Sequence, residues 1–141
     1  MGDQTYAGDI TAKTAWEILT DDPGAVLVDV RTEPEWRYVG RPDLEELGKT
    51  TVLVSWQTYP DMRVNDGFTS EVEAAGVGRQ DTVLLLCRSG QRSARAAEAL
   101  TAAGFRRCYN VVEGFEGGKD GVGHRGTREG WKVAGLPWRQ E

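Results

Sequence analysis

Two side chains in this sequence could act as sulfur nucleophiles, Cys87 and Cys108, and their surroundings differ. Cys87 opens the run Cys87-Arg88-Ser89-Gly90-Gln91-Arg92-Ser93, directly after the apolar stretch 82–86 and ahead of a segment rich in Ala, Glu, Leu and Arg. That segment predicts a helix over 91–103, ended by Gly104. A strand-to-helix turn of this kind directs successive backbone N–H groups at one spot and adds the positive end of the helix dipole. Gly90 supplies the freedom for the sharp turn. Such a cradle, with arginines near, favours the thiolate, the attacking form of cysteine, and would stabilise the persulfide anion left after sulfur capture. Cys108, beside Arg106, Arg107 and Tyr109, reads as a packing residue. A second role, resolving an oxidised Cys87, would need the two Cα atoms within about 7 Å.

The other residues of the run divide by chemistry. Arg92 falls on the first turn of the expected helix, where its guanidinium could hold an anionic donor with two hydrogen bonds. Arg88 would sit at the pocket mouth and steer anions, and ranks below Arg92. Ser89 and Ser93 read as turn and cap hydrogen-bonders, because no serine-histidine-acid set accompanies them. Gly90 and Gln91 complete the candidate substrate-binding loop. One histidine, His124, and two widely separated cysteines give no recognisable metal-ligand spacing, so no metal or other cofactor is expected. His124 is expected to face solvent. The tryptophans at 16, 36, 56, 131 and 138 read as core or core-edge residues. Trp131, next to a glycine-rich stretch, is the one candidate for a binding platform.

The elements that must position Cys87 follow from periodicity and composition. With 141 residues, 39% hydrophobic and 28% charged, the chain fits one domain, 1–141, with one core. A helix is expected from Thr11 to the stop signal Asp21-Asp22-Pro23-Gly24. Apolar runs at 25–30, 51–55 and 82–86 read as strands buried on both faces, and a weaker run covers 108–112. Helices at 34–39, 68–75 and 91–103 alternate with them. Alternation of this type implies an α/β fold: a mostly parallel central sheet with helices on both faces and ligands beyond the carboxyl ends of the strands. From Glu113 to Gly130 seven glycines, at 114, 117, 118, 121, 123, 126 and 130, break any period and predict a long loop.

Charge and leader signals narrow the partners. A net charge of −5 disfavours bulk nucleic-acid binding, whereas the five arginines at 88, 92, 95, 106 and 107 suit a small anionic substrate. The first ten residues lack a cationic and apolar leader pattern, and no run of about eighteen apolar residues is present, so a cytoplasmic, unprocessed protein without a membrane partner is expected. Two cysteines are too few for a disulfide scaffold.

Cys-Arg-Ser-Gly-Gln-Arg-Ser after a Val/Leu strand, with Ala94, Arg95, Ala96 and Ala97 opening the helix, resembles the active loop of the rhodanese family. Asp29-Val30-Arg31 with Glu33, Glu35 and Trp36 resembles the strand and short helix upstream of that loop, and Gly104-Phe105, Val111, Gly114, Trp131, Gly135 and Pro137 resemble its closing pattern. The resemblance spans nearly the whole chain and implies a rhodanese-like sheet of about five strands. It also implies sulfurtransferase activity: Cys87 would carry sulfane sulfur from a donor such as thiosulfate, mercaptopyruvate or a persulfide to cyanide, a thiol or a sulfur-carrier protein. Two features depart from the family pattern. Its Gly-His-Ile-Pro segment stands here as Gly40-Arg41-Pro42, and the stretch 116–130, within a glycine-rich insertion at about 114–130, is longer than a minimal rhodanese needs. The insertion is expected to wall the pocket or meet a partner. Rival readings are a cysteine-dependent phosphatase or arsenate reductase, whose loops place five residues between cysteine and arginine where this chain has four, and a non-catalytic rhodanese-like module.

Overall fold

The computed structural model describes residues 6–119, 121–125 and 129–140. In chain order the elements are β1 (Gly8–Ile10), α1 (Ala12–Asp21), β2 (Val26–Asp29), α2 (Glu33–Tyr38), β3 (Arg41–Pro42), a 3₁₀ turn (Glu45–Leu47), β4 (Val52–Leu53), β5 (Gln57–Thr58), β6 (Arg63–Val64), α3 (Phe68–Ala74), β7 (Thr82–Leu86), α4 (Gln91–Ala102), β8 (Arg107–Val111) and β9 (Trp138–Arg139). A five-stranded sheet in the order β1-β8-β7-β2-β4 is parallel at every pairing. This is the α/β architecture expected, helices on both faces included.

Alternation along the central strands builds the two sides. Val83, Leu85 and Cys87 pack with Val28, Val30, Phe68, Val72, Ala96 and Leu100, under α3 and α4. Leu84 and Leu86 point the opposite way and pack with Leu27, Ala12, Ala15, Leu19 and Trp131, under α1. A strand with apolar residues on both faces is stable only when both are covered, and every residue of β7 is buried. The same period of two places the Cys87 side chain on the α4 side.

Local signals explain the helix ends. Thr11 caps α1 by accepting from the Thr14 N–H, and the Glu113 carboxylate accepts from the Ala12 N–H at 2.9 Å, so an acid from beyond β8 also meets the positive end of α1. Beyond the helix, the Asp22 carboxylate accepts from the Gly24 N–H and turns the chain into β2. At α2 the Thr32 N–H and hydroxyl both donate to Glu35 Oε1, with Pro34 in the first turn.

Departures from the sequence reading are local. The run 51–55 forms a strand only at β4. Strand β1 is too short to show a period, and pairs β3·β9 and β5·β6 are two-residue ladders defined by partners distant in sequence or by a turn. The glycine-rich stretch forms turns without helix or strand among its described residues; Gly126 lies outside them. His124 is exposed, as expected. Trp131 is fully buried, meets Trp16 edge-to-face at 5.9 Å and donates through Nε1 to the Pro137 carbonyl. It is therefore a core residue and not a binding platform, a correction that follows from its position under α1.

Candidate active site

The loop after β7 folds over the Cys87 sulfur. Gly90 has φ +98°, a left-handed conformation, and its N–H donates to Cys87 Sγ at 3.1 Å. A Cβ at this position would lie 2.2 Å from the Val112 carbonyl oxygen. Gly114 fills the matching role across the loop, where a Cβ would stand 2.3 Å from the Arg88 carbonyl oxygen. That close approach lets Phe115 N–H donate to the Cys87 carbonyl, and Glu116 and Gly117 N–H to that of Arg88. The start of the glycine-rich stretch thus backs the Cys87 loop through its main chain. Gly90→Ala is expected to reduce sulfur loading at least about tenfold, since the added methyl must displace the loop and the N–H that faces the sulfur. Loading kinetics close to wild type, with the fold intact, would count against this role for the turn.

Beneath the loop runs a buried polar chain that sequence reasoning missed. Ser93 Oγ lies 3.2 Å from Cys87 Sγ and 2.6 Å from Asn110 Oδ1. Asn110 Nδ2 donates to the Gly90 carbonyl and to Asp9 Oδ1, each at 3.1 Å, and the Tyr6 hydroxyl donates to the same Asp9 oxygen. Both partners of Nδ2 can only accept, which fixes the amide orientation and makes Oδ1 the acceptor of the Ser93 hydroxyl. Ser93 is thus a core residue beside the sulfur and not a helix cap, the cap position being Gly90 without any side-chain bond. Ser93 and Asn110 are both buried and hydrogen-bonded, the condition under which a polar network holds one geometry. No local motif announces Asn110; strand pairing brings it there.

The remaining candidates separate. Gln91 begins α4 and is exposed, as is Arg88, while Ser89 is half-buried in the turn. Cys87 itself is 1% exposed, with one backbone amide, that of Gly90, donating to its sulfur among the described residues. The expected ring of several inward amides is thus reduced to the Gly90 amide, with the Ser93 oxygen in contact with the sulfur and its one proton given to Asn110. Arg92 does not stand open as an anion clamp: both its terminal nitrogens are engaged by Glu35, Nη1 on Oε1 at 2.7 Å and Nη2 on Oε2 at 2.9 Å. Cys108 pairs in register with Val83, four residues before Cys87, which places it about 13 Å away along the strand direction. The two cysteines cannot form a disulfide in this fold, and burial pushes the Cys108 thiol up to about 11.

Burial alone would raise the Glu35 carboxyl, but the hydrogen bonds and charge of Arg92, joined by the Thr32 hydroxyl and N–H, outweigh it and take it from 4.5 down to about 2. Because the folded state lowers this value, the pair's stabilisation is complete above about pH 4.5 and lost as pH falls towards about 2. Acid unfolding of Glu35→Gln, followed by circular dichroism, is expected to be shallower across that window; an unchanged acid limb would show that the pair carries no linkage.

Above the loop opens a cleft of about 620 Å³ lined by Trp56, Gln57, Gly90, Gln91, Arg92, Ala94 and Arg95. It lies beyond the carboxyl end of β7, where open α/β sheets hold ligands. Among the described residues no group of three or more His, Cys, Asp or Glu side chains is placed to hold a metal ion, and no helix is long and apolar enough to cross a membrane.

With this geometry in view, the chain can be set against known proteins. The family model described as STR4 middle domain matches residues 7–141. The chain belongs to the STR4 middle-domain family. The crystal structure of Rv0390 from M. tuberculosis superposes with a TM-score of 0.89 at 54% identity, covering 96% of this chain and 99% of that one. An uncharacterised protein of Rickettsia conorii is 38% identical over 130 residues, 92% of this chain and 95% of its own length. The rice protein Thylakoid Rhodanese-like is 31% identical over 93% of this chain but only 25% of its own length, so the STR4-type domain is a fraction of that protein. The fold is also shared with the polysulfide-sulfur transferase homodimer of Wolinella succinogenes, at a TM-score of 0.62 and 20% identity, covering 97% of this chain and 80% of that one. The topology is rhodanese-like.

Proposed function

We propose that this chain is a sulfurtransferase that carries sulfane sulfur on Cys87 as a persulfide. The observation that carries the reading is Cys87 Sγ held at the strand end, under Gly90 N–H and Ser93 Oγ, beside a cleft at the loop. With a persulfide donor, the Cys87 sulfur bonds to the outer sulfur of R–S–SH while the donor's S–S bond breaks, and the electron pair and a proton leave on R–SH. The N–H that faces the thiol sulfur also supports the charge left on the loaded cysteine. In the second half-reaction cyanide, a thiol or a carrier protein takes the outer sulfur and Cys87 returns to its starting state. The relay needs no group beyond the thiol.

A phosphatase or arsenate reductase would need Arg92 as a free cation to clamp a tetrahedral oxyanion, and Glu35 takes one hydrogen bond from each terminal nitrogen and offsets the charge. A non-catalytic module would not need a cysteine held against a backbone amide. The test is incubation with thiosulfate and with persulfide donors, mass spectrometry of the Cys87 peptide, then cyanide. Cys87 should gain one sulfur atom, and cyanide should remove it as thiocyanate. An unchanged mass with every donor overturns the proposal.

A further inference from the structure

We infer that Glu35 sets donor specificity: by neutralising Arg92 at the edge of the cleft, it makes the site favour a persulfide borne on a larger thiol over a free dianion such as thiosulfate. This rests on the sulfurtransferase reading and concerns only which donor the site takes.

Two contacts and a charge state carry the inference. Glu35 and Arg92 form a two-pronged pair, with side chains only 19% and 15% exposed, so this pair is shielded from the water and salt that weaken surface ion pairs. Glu35 is also held from behind by the Thr32 N–H and hydroxyl, so the carboxylate is fixed on its side of the guanidinium. Its value near 2 keeps it charged through the whole neutral range. A dianion entering the cleft would meet no net positive charge at Arg92 and would feel the Glu35 carboxylate behind it.

The remaining lining supports the same reading. Trp56, Gln57, Gly90, Gln91 and Ala94 are uncharged, and the other cation, Arg95, is exposed and lies 3.4 Å from Glu98. An exposed charge of this kind grips an anion weakly. The cleft, at about 620 Å³, falls in the range that holds a molecule with many heavy atoms. A small inorganic anion would leave most of it filled with water, whereas the body of an R–S–SH donor can lie along Trp56, Gln57 and Gln91 and bring its outer sulfur to the loop. Binding energy from the non-reacting part of the donor then positions the reacting sulfur.

The experiment measures the rate of Cys87 persulfide formation against donor concentration, for thiosulfate and for the persulfide of an uncharged thiol, 2-mercaptoethanol. For the wild type, kcat/KM should favour the persulfide by about tenfold or more, and the thiosulfate KM should change less than about twofold between low and physiological salt. Glu35→Gln keeps the shape of the side chain and one acceptor oxygen for Thr32 and Arg92 Nη1, but removes the negative charge and the acceptor for Nη2, and so frees the Arg92 charge. It should lower the thiosulfate KM about fivefold or more, make that KM salt-dependent, and shift the donor ratio towards thiosulfate. The double variant Glu35→Gln/Arg92→Gln should lose this gain, which a merely structural role for Glu35 would not predict.

A donor ratio unchanged within about twofold in folded Glu35→Gln overturns the inference while leaving sulfur transfer standing. So does a wild-type thiosulfate KM that climbs steeply with salt, and this holds even where the variant fails to fold. Failure of both donors to load wild-type Cys87 removes the sulfurtransferase reading itself, and the inference with it.

Discussion

Cys87→Ser is expected to abolish sulfur loading, lowering transfer by at least about three orders of magnitude for every donor. The replacement is nearly isosteric at a residue that is 1% exposed, and a serine hydroxyl can still accept from the Gly90 N–H, so the loop and the core under α4 should persist. What disappears is the polarisable sulfur that attacks another sulfur and holds it in an S–S bond. Thermal unfolding should therefore stay close to wild type while the mass of the residue-87 peptide no longer increases with donor. Cys108 offers no bypass, because it is fully buried beside Val83 and its thiol is pushed up to about 11. Retained thiocyanate formation by Cys87→Ser would show that the acceptor reaction uses another group.

Asp29→Asn is expected to destabilise the protein by about 3–5 kcal/mol, the largest stability effect of any single polar change near the site. Asp29 and Arg31 are both fully buried. The carboxylate accepts from the Arg31 main-chain N–H at 3.1 Å, from Nε at 3.0 Å and from Nη2 at 2.7 Å. The same Nη2 donates to the Gly40 carbonyl at 2.7 Å, and the guanidinium lies 4.3 Å from the centre of the Phe115 ring. The pair thus ties the end of β2 to the start of β3 and to the segment that backs the active loop. An asparagine keeps the volume but leaves a buried cation without its counter-charge, and the penalty is that of an uncompensated charge, not of one lost hydrogen bond. Against a total stability of roughly 5–15 kcal/mol this is a large fraction. Urea unfolding checks it, and a loss below about 1 kcal/mol would show that the Phe115 face and the Gly40 carbonyl suffice to hold Arg31.

The STR4-type chain shows which parts of a site are local. The loop Cys87–Ser93 was legible because its signals are adjacent in sequence: an all-apolar strand, a glycine at the turn, a helix-forming run behind it. The parallel sheet was legible for the same reason, since strands buried on both faces must be continuous apolar runs. Apart from β4, which falls within the apolar run 51–55, the strands of two or three residues, β1, β3, β5, β6 and β9, have no period to read and exist only through pairing with another segment.

The charge state of the cleft and the setting of the sulfur were decided by tertiary structure. Arg92 read from its neighbours is a free cation; only the packing of α2 against the start of α4 brings Glu35, 57 residues away in sequence, onto both its terminal nitrogens. Ser93 read locally is a cap, until pairing of β8 with β7 and β1 sets Asn110 against it and Asp9 against Asn110. The sequence by itself determined where the candidate cysteine would stand, because cysteine, turn and helix follow one another along the chain. Which charges and hydrogen bonds surround it was determined by contacts between segments far apart in the chain, and Coulomb and hydrogen-bond energies depend on distance in space.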